Sequence, residues 1–184
     1  MDAIIQLIHV SKWHARRAAL SDVTVEIEKG EFVLLMGASG AGKSTLLRML
    51  IAEEQPDEGQ IFVHGKNVTK LRPSEIPYLR RKVGAVFQDF RLLPKKSVFD
   101  NVALPLIVQG ASEKDIHRKV TEALRAVDVD HKNDQLPSSL STGEQQRVCI
   151  ARSIVNGPVV LLADEPTGNL DPERTREIIE LFKL

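Results

Sequence analysis

The stretch Gly37-Ala38-Ser39-Gly40-Ala41-Gly42-Lys43-Ser44-Thr45 follows the apolar residues 32–36 and precedes the helix-forming residues 46–50. It matches the pattern G-x-x-x-x-G-K-[ST], in which glycines let several backbone N–H groups point at one anion. The helix after it adds the positive end of its dipole, Lys43 adds a full charge, and Ser44 supplies a hydroxyl for Mg²⁺. The pattern predicts a loop that binds nucleotide phosphates, with a strand at 32–36 before it and a helix after it.

Composition limits the classes of protein that remain. The 184 residues predict one domain with its own core, and 25 basic residues balance 25 acidic ones, so no global charge points to nucleic acid or anionic lipid. No run reaches the roughly 18 apolar residues of a membrane span, and the N-terminus lacks a basic signal region, so we expect a soluble chain. The single cysteine, Cys149, lies in an apolar helical run. It is expected to be a buried structural thiol in a reducing compartment rather than a nucleophile.

Hydrophobic periodicity separates strand-rich from helix-rich parts. The apolar run 159–163 predicts a parallel strand covered on both faces. The segment 89–140 is helical and reads as an insertion between two halves that contain strands. We therefore expect an α/β fold with an N-terminal antiparallel β layer and a helical subdomain inserted in the core, in one domain of three parts (1–88, 89–140 and 141–184). The predicted strands are 4–8, 23–27, 32–36, 61–63, 83–87 and 159–163, and the predicted helices are 97–108, 112–127, 143–155 and 173–184.

Two adjacent carboxylates, Asp164 and Glu165, close the apolar strand 159–163. Ligands of parallel sheets bind at the carboxyl ends of the strands. We assign Asp164 to Mg²⁺ and Glu165 to orienting or deprotonating the water that attacks a terminal phosphoryl group. The alternative is an acidic cap at a helix entry before Pro166.

A second helix start is predicted at Leu140-Ser141-Thr142-Gly143-Glu144-Gln145-Gln146-Arg147. Small polar residues and a glycine leave backbone N–H groups that suit another phosphate. Ordinary helix capping by Ser141 is the alternative.

Five motifs occur in a fixed order: the loop 37–45, Gln88 after a short strand, Leu140 to Gln145, Asp164-Glu165, and Asn169-Leu170-Asp171. In this order they resemble the ATP-binding cassette (ABC) ATPases over the whole chain. The resemblance implies a P-loop NTPase cassette that hydrolyses ATP with Mg²⁺, and residues 37–45 would hold the triphosphate.

Further roles are implied by the same resemblance. Gln88 would sense Mg²⁺ and the attacking water, and its loop would touch an integral membrane partner. Ser141 and Gly143 would contact the γ-phosphate of ATP held by a second copy, and Asp171 would link the two sites of this homodimer. The chain would lie at the cytoplasmic face of a bacterial inner membrane, bound through its partner, without nucleic acid.

Adenine stacks on an aromatic ring near the second strand in this family, a place that His14 and Trp13 share here. Either ring offers a π-face, and a plain surface turn is the alternative. Thr142 stands where the family usually has a glycine. The family's switch histidine lies on a later strand than Asp164, and all five histidines here precede Asp164. The resemblance thus implies a cassette cut short at its C-terminus, which lowers the expected stability.

Residues 77–94 and 98–103 look most like the members that act in bacterial cell division. The run 163–171 is shared with lipoprotein-releasing and macrolide-export ATPases, which remain an alternative. A module that binds ATP with little turnover, because the switch histidine is missing, is a further alternative.

Overall fold

The computed structural model describes residues 3–15, 17–166 and 172–182, and it divides into two compact units, 1–80 and 81–184. The boundary falls within a short helix, α2 (Ile76–Lys82). Each unit has its own buried residues. The arrangement as one domain of three parts stays a prediction.

The first unit contains an antiparallel sheet in the order β2-β1-β3-β4. The strands are β1 (Ala3–His14), β2 (Arg17–Glu28), β3 (Glu58–Val63) and β4 (Lys66–Asn67), and the helix α1 (Lys43–Leu50) follows β2 in the chain. In β1, Leu7 lies opposite Val25 on one side and Ile61 on the other. Leu7, Ile61 and Met49 of α1 are buried. The strands predicted at 4–8, 23–27 and 61–63 and the antiparallel layer are confirmed.

The strand predicted at residues 32–36 is wrong. These residues lie outside every strand, and their exposed fractions run from 47% at Leu35 to 80% at Met36. A strand needs a hydrogen-bonded neighbour, and apolar composition alone does not supply one. The edges of the sheet in this unit are β2 and β4, and the run pairs with neither.

In its described residues, the second unit combines a parallel strand pair with the four helices named below. The pair is β5 (Val83–Val86) and β6 (Val160–Ala163), with Val86 opposite Ala163. The helices are α3 (Val98–Gln109), α4 (Glu113–Ala126), α5 (Thr142–Ile154) and α6 (Pro172–Leu181). Apolar residues from α3, α4 and α5, among them Leu106, Leu124 and Ile150, form one buried cluster. The strands predicted at 83–87 and 159–163 and all four predicted helices are confirmed.

The expectation that β6 is covered on both faces needs correction. Its four residues are half-buried rather than buried. Within the described residues of this unit the sheet has two strands, so each strand has an open edge that a wider sheet would cover.

None of the helices in the described part of the chain has the length and apolar character needed to cross a membrane.

Candidate nucleotide-binding site

The phosphate loop predicted from the sequence lies in the first unit and ends where α1 begins. Residues 37–41 are exposed, and α1 starts at Lys43 after Gly42, whose φ of 86° lies in the left-handed region. Gly42 carries no side chain, so the first turn of α1 receives no side-chain cap. A helix start of this kind keeps backbone N–H groups and a positive dipole for an anion.

Lys43 closes the loop on itself. Its Nζ donates to the carbonyl oxygens of Gly37 at 2.7 Å and Ala38 at 2.9 Å. The backbone N–H of Ala41 also donates to Ala38, at 3.1 Å. The loop therefore curls around an ammonium group whose partners are neutral carbonyls, and a phosphate oxygen would be a stronger acceptor for that cation.

Gly42 is required at its position for a second reason. A Cβ there would collide with the backbone carbonyl of Ala19 in β2 and press on the side chain of Leu20. The loop thus packs against β2 at a distance that only glycine permits.

The structure places His14, but not Trp13, beside this loop. The Nε2 atom of His14 lies 3.4 Å from the hydroxyl of Thr45 in α1 and 3.4 Å from the carboxylate of Glu54. The backbone N–H of Trp13 donates to Asp57 at 2.7 Å, and its side chain is 38% exposed. Because neighbouring residues of a strand point to opposite faces, His14 is the better placed ring for a base held next to the loop.

Gln88, Asp164 and Glu165 lie in the second unit at one edge of the parallel pair. The backbone N–H of Asp164 donates to the carbonyl of Val86 at 2.9 Å, which continues the register in which Val86 faces Ala163. Gln88 and Glu165 each lie two residues beyond these paired positions. Gln88, Asp164 and Glu165 therefore lie at the same edge of the sheet, beyond the carboxyl ends of β5 and β6, as expected of parallel strands.

Glu165 has an unusual backbone at that edge. Its φ is 47°, in the left-handed region that glycine favours, and the residue is exposed. A non-glycine residue held there carries strain, and such strain collects at functional sites. Asp164 before it is half-buried.

Ser141 caps α5 as part of a reciprocal capping box. Its Oγ accepts from the backbone N–H of Glu144 at 3.3 Å, and the Glu144 carboxylate accepts from the backbone N–H of Ser141 at 2.8 Å. That second bond is the main reason that the pKa of Glu144 lies below its usual range. The capping alternative is therefore present. Capping uses a lone pair of the hydroxyl and does not consume its proton, so it does not exclude a phosphate contact.

Gly143 is buried in the first turn of α5, and Thr142 beside it is exposed. Asp171 lies outside the described residues, so its role stays a prediction. Cys149 is 2% exposed, and burial raises the pKa of its thiol to about 12, which confirms a structural thiol.

Two residues that the sequence analysis did not assign hold the loop after Gln88. Asn101 of α3 is fully buried, and its amide bonds to backbone atoms of Leu93, Lys96 and Ser97. A polar residue on the apolar face of a predicted helix could have indicated it. Arg152 of α5 donates to two backbone carbonyls of the same loop. For Arg152 the sequence offers no comparable signal.

Comparison with known proteins gives consistent matches. The sequence profile of the ABC transporter family matches residues 20–168. The cell division ATP-binding protein FtsE of Mycobacterium tuberculosis is 53% identical over 182 residues, which is 98% of this chain and 79% of that protein. FtsE of Escherichia coli K12 is 50% identical over 181 residues, covering 98% of this chain and 82% of that protein.

Solved structures agree with the sequence matches. The dimeric structure of MJ0796, a bacterial ABC transporter cassette, has a TM-score of 0.88 at 36% identity and covers 97% of this chain and 81% of that chain. The structure of cbiO1 from Clostridium perfringens, part of the ABC transporter complex cbiONQ, has a TM-score of 0.90 at 31% identity and covers 100% of this chain and 73% of that chain. With its ordered motifs, its phosphate loop and these matches, the chain belongs to the ABC transporter family of ATPases.

Proposed function

We propose that this chain binds Mg²⁺-ATP through residues 37–45 and hydrolyses it as one of two identical copies in a membrane complex. The observation that carries the proposal is the loop around Lys43, with a helix start that has no side-chain cap and an ammonium that donates to two backbone carbonyls. A solved relative of the same family, MJ0796, is described in a post-hydrolysis state bound to ADP and Pi.

The first unit fits the triphosphate and the base of ATP. The N–H groups at the start of α1 would bind phosphate oxygens, and Lys43 would exchange the carbonyls of Gly37 and Ala38 for phosphate oxygens that carry negative charge. His14 would stack on the adenine, because its ring lies against Thr45 in the first turn of α1.

The candidate ligands fit Mg²⁺ by their chemistry. Ser44, Gln88 and Asp164 offer hydroxyl, amide and carboxylate oxygens, the hard donors that this ion prefers. When bound, Mg²⁺ neutralises charge that develops on the phosphoryl oxygens.

The second unit fits the hydrolytic step. Glu165 would orient a water molecule and accept its proton, and the amide of Gln88 would hold the same water from the neighbouring strand end. The shared edge of β5 and β6 supports this division of roles, because Gln88 and Glu165 each follow by two residues the paired positions Val86 and Ala163.

Ser141 and Gly143 would contact the γ-phosphate held by a second copy. The chain carries two helix starts suited to phosphate, at α1 and α5, but only the first follows a lysine-bearing loop. Two copies packed head to tail give every phosphate both kinds of helix start. Asp171 would link the two sites across the interface.

The membrane partner we propose is an FtsX-like integral membrane protein, with the chain held at the cytoplasmic face of a bacterial inner membrane. The support is the identity of about half the residues with proteins named for cell division. The output would be control of peptidoglycan hydrolysis. The lipoprotein-releasing and macrolide-export ATPases share the run 163–171 and would pair with other membrane subunits.

The proposal is tested by nucleotide binding and turnover. We expect Lys43→Ala to abolish binding of a fluorescent ATP analogue, whereas the control Lys95→Ala, at an exposed lysine outside the loop, should bind normally. Unchanged affinity in Lys43→Ala would remove the loop from its role.

Glu165→Gln should keep ATP binding, lose turnover and accumulate as an ATP-bound dimer in size-exclusion chromatography. Its control is Glu113→Gln, at an exposed glutamate of α4. Full turnover by Glu165→Gln would disprove the assignment of Glu165. Co-purification tests the partner. We expect the chain to co-purify with an FtsX-type protein and not with the membrane subunit of a lipoprotein-releasing complex.

A further inference from the structure

The segment 87–91 folds into a compact turn that leaves Gln88 exposed. The guanidinium of Arg91 lies 3.9 Å from the ring centre of Phe87 and pairs with the carboxylate of Asp89 at 3.1 Å. The backbone N–H of Arg91 also donates to the carbonyl of Asp89. Gln88 therefore sits in a turn whose two ends are fastened to each other.

This turn has a strained backbone. Phe90 and Arg91 have φ values of 34° and 49°, so two successive non-glycine residues are in the left-handed region. Such residues persist only where surrounding contacts hold them.

The contacts that hold them come from α5. Arg152 donates to the carbonyl of Phe90 at 2.6 Å and to that of Arg91 at 2.7 Å. One turn earlier on the helix, the thiol of Cys149 donates to the same Phe90 carbonyl at 3.1 Å. Two side chains of α5, those of Cys149 and Arg152, thus donate hydrogen bonds to the backbone of the strained residues.

Arg152 is committed to this contact. Among the described residues it takes part in no ion pair, and its guanidinium donates to the two carbonyls. Burial lowers the pKa of Arg152. Arg152 is half-buried and has no carboxylate partner among the described residues, so its charge is satisfied in part by these two hydrogen bonds, which are charge-assisted.

We propose that Arg152 is the positioning residue for Gln88. By fixing the carbonyls of Phe90 and Arg91, it sets where the Gln88 amide lies, and it links that segment to α5, the helix that Ser141 caps. The effect on turnover rests on the proposed function of Gln88 and Ser141. The mechanical clamp between Arg152 and the turn does not rest on it.

The clamp is tested by limited trypsin digestion of the full chain, followed by mass spectrometry. Arg91 is exposed, so cleavage after it reports release of the turn. We expect Arg152→Gln to raise the rate of cleavage after Arg91 by about tenfold, because the strained turn loses its anchors. Arg152→Lys, which can reach one carbonyl but not fork across two, should lie between Arg152→Gln and the wild type.

The matched control is Arg147→Gln. Arg147 lies on the same helix, and it donates to the backbone carbonyl of Val127 and to the carboxylate of Glu177, which both lie outside the turn. Cleavage after Arg91 should stay within about twofold of the wild type in this variant. Equal rates of cleavage in Arg152→Gln and the wild type, or equal increases in Arg152→Gln and Arg147→Gln, would overturn the clamp.

Steady-state kinetics then test the link to Gln88. In Arg152→Gln we expect kcat to fall about tenfold while the KM for ATP changes less than about twofold, because the phosphate loop is untouched. A matching rise in KM, or an unchanged kcat, would overturn the positioning role. Absent turnover in the wild type would instead refute the proposed function, while the digestion result would still decide the clamp.

Discussion

Asn101 offers the sharpest test of what holds the segment after Gln88. Its side chain is fully buried in α3. The Oδ1 atom accepts from the backbone N–H of Leu93 at 2.7 Å, and Nδ2 lies 3.1, 3.1 and 2.9 Å from the carbonyls of Leu93, Lys96 and Ser97. Replacing it with alanine removes all these bonds at once.

The cost follows from the number of bonds and the exposure of their partners. The two N–H hydrogens of the amide are shared among three carbonyls, so the side chain makes about three full hydrogen bonds, each worth roughly 0.5–1.5 kcal/mol net. Leu93 is 40% exposed, so water can replace part of what is lost there. We therefore expect Asn101→Ala to lower the free energy of unfolding by about 1.5–3 kcal/mol, the lower part of the possible range.

Urea unfolding followed by far-UV circular dichroism is the assay, because most of the described helices lie in the second unit. Trp13, the single tryptophan, lies in the first unit, and its fluorescence is a separate probe. The control Asn133→Ala, at an exposed asparagine of the second unit, should change stability by less than about 0.5 kcal/mol. A loss below about 1 kcal/mol in Asn101→Ala would refute the reasoning.

Asn101→Asp separates donation from acceptance. A carboxylate can accept from Leu93 but cannot donate to the three carbonyls, which repel its charge. The pKa of the introduced carboxyl group is thereby raised in the folded state above its unfolded value. The Asn101→Asp variant therefore loses stability as pH rises and regains it as pH falls. At neutral pH this variant should be no more stable than Asn101→Ala. A variant that is instead stabilised as pH rises would contradict the assignment of Nδ2 as the main donor.

Three further predictions concern the second unit. Gly84→Ala should destabilise by about 1–3 kcal/mol in thermal unfolding, because a Cβ there would lie 2.5 Å from the carbonyl oxygen of Ser153; a neutral effect would contradict that close approach. Native Cys149 should react with a thiol reagent far more slowly than the urea-unfolded chain at about pH 8, since its pKa is raised to about 12, and equal rates would contradict its burial. Because the pKa of Glu144 is lower in the folded state, its carboxylate stabilises the fold at neutral pH, and this stabilisation is lost as pH falls below the usual pKa of a glutamate, so the stability difference between the wild type and Glu144→Gln should shrink on acidification below that pKa. A stability difference that does not change with pH would contradict a stabilising hydrogen bond between the Glu144 carboxylate and Ser141.

Local patterns predicted most of the elements because they depend on neighbours in sequence. The helical period around Val120 and Leu124 gave α4, and the alternation around Val25 gave β2. The run 32–36 failed because a strand depends on a partner that the run itself does not encode. Apolar residues indicate that a segment tends to be buried. Whether it forms a strand depends on a second segment that offers backbone hydrogen bonds.

The candidate site divides in the same way. The glycines of 37–42 and Lys43 could be assigned from sequence because their chemistry requires those residue types at that spacing. Two adjacent rings leave open which of His14 and Trp13 would stack on a base. The proposal of His14 depends on the structure, in which the His14 ring lies 3.4 Å from the Thr45 hydroxyl and the backbone of Trp13 donates to Asp57.

Asn101 and Arg152 show a deeper reason why sequence falls short. A motif can be recognised in a sequence when its chemistry requires particular side chains, as a metal site requires carboxylates or hydroxyls. Asn101 and Arg152 instead donate to backbone carbonyls, which every residue has. The residue types of Phe90, Arg91 and Leu93 therefore do not identify them as hydrogen-bond acceptors. The residues that fix the Gln88 segment can thus be found only after the backbone has been placed. Their variants test the position of the segment without altering any atom of Gln88 itself.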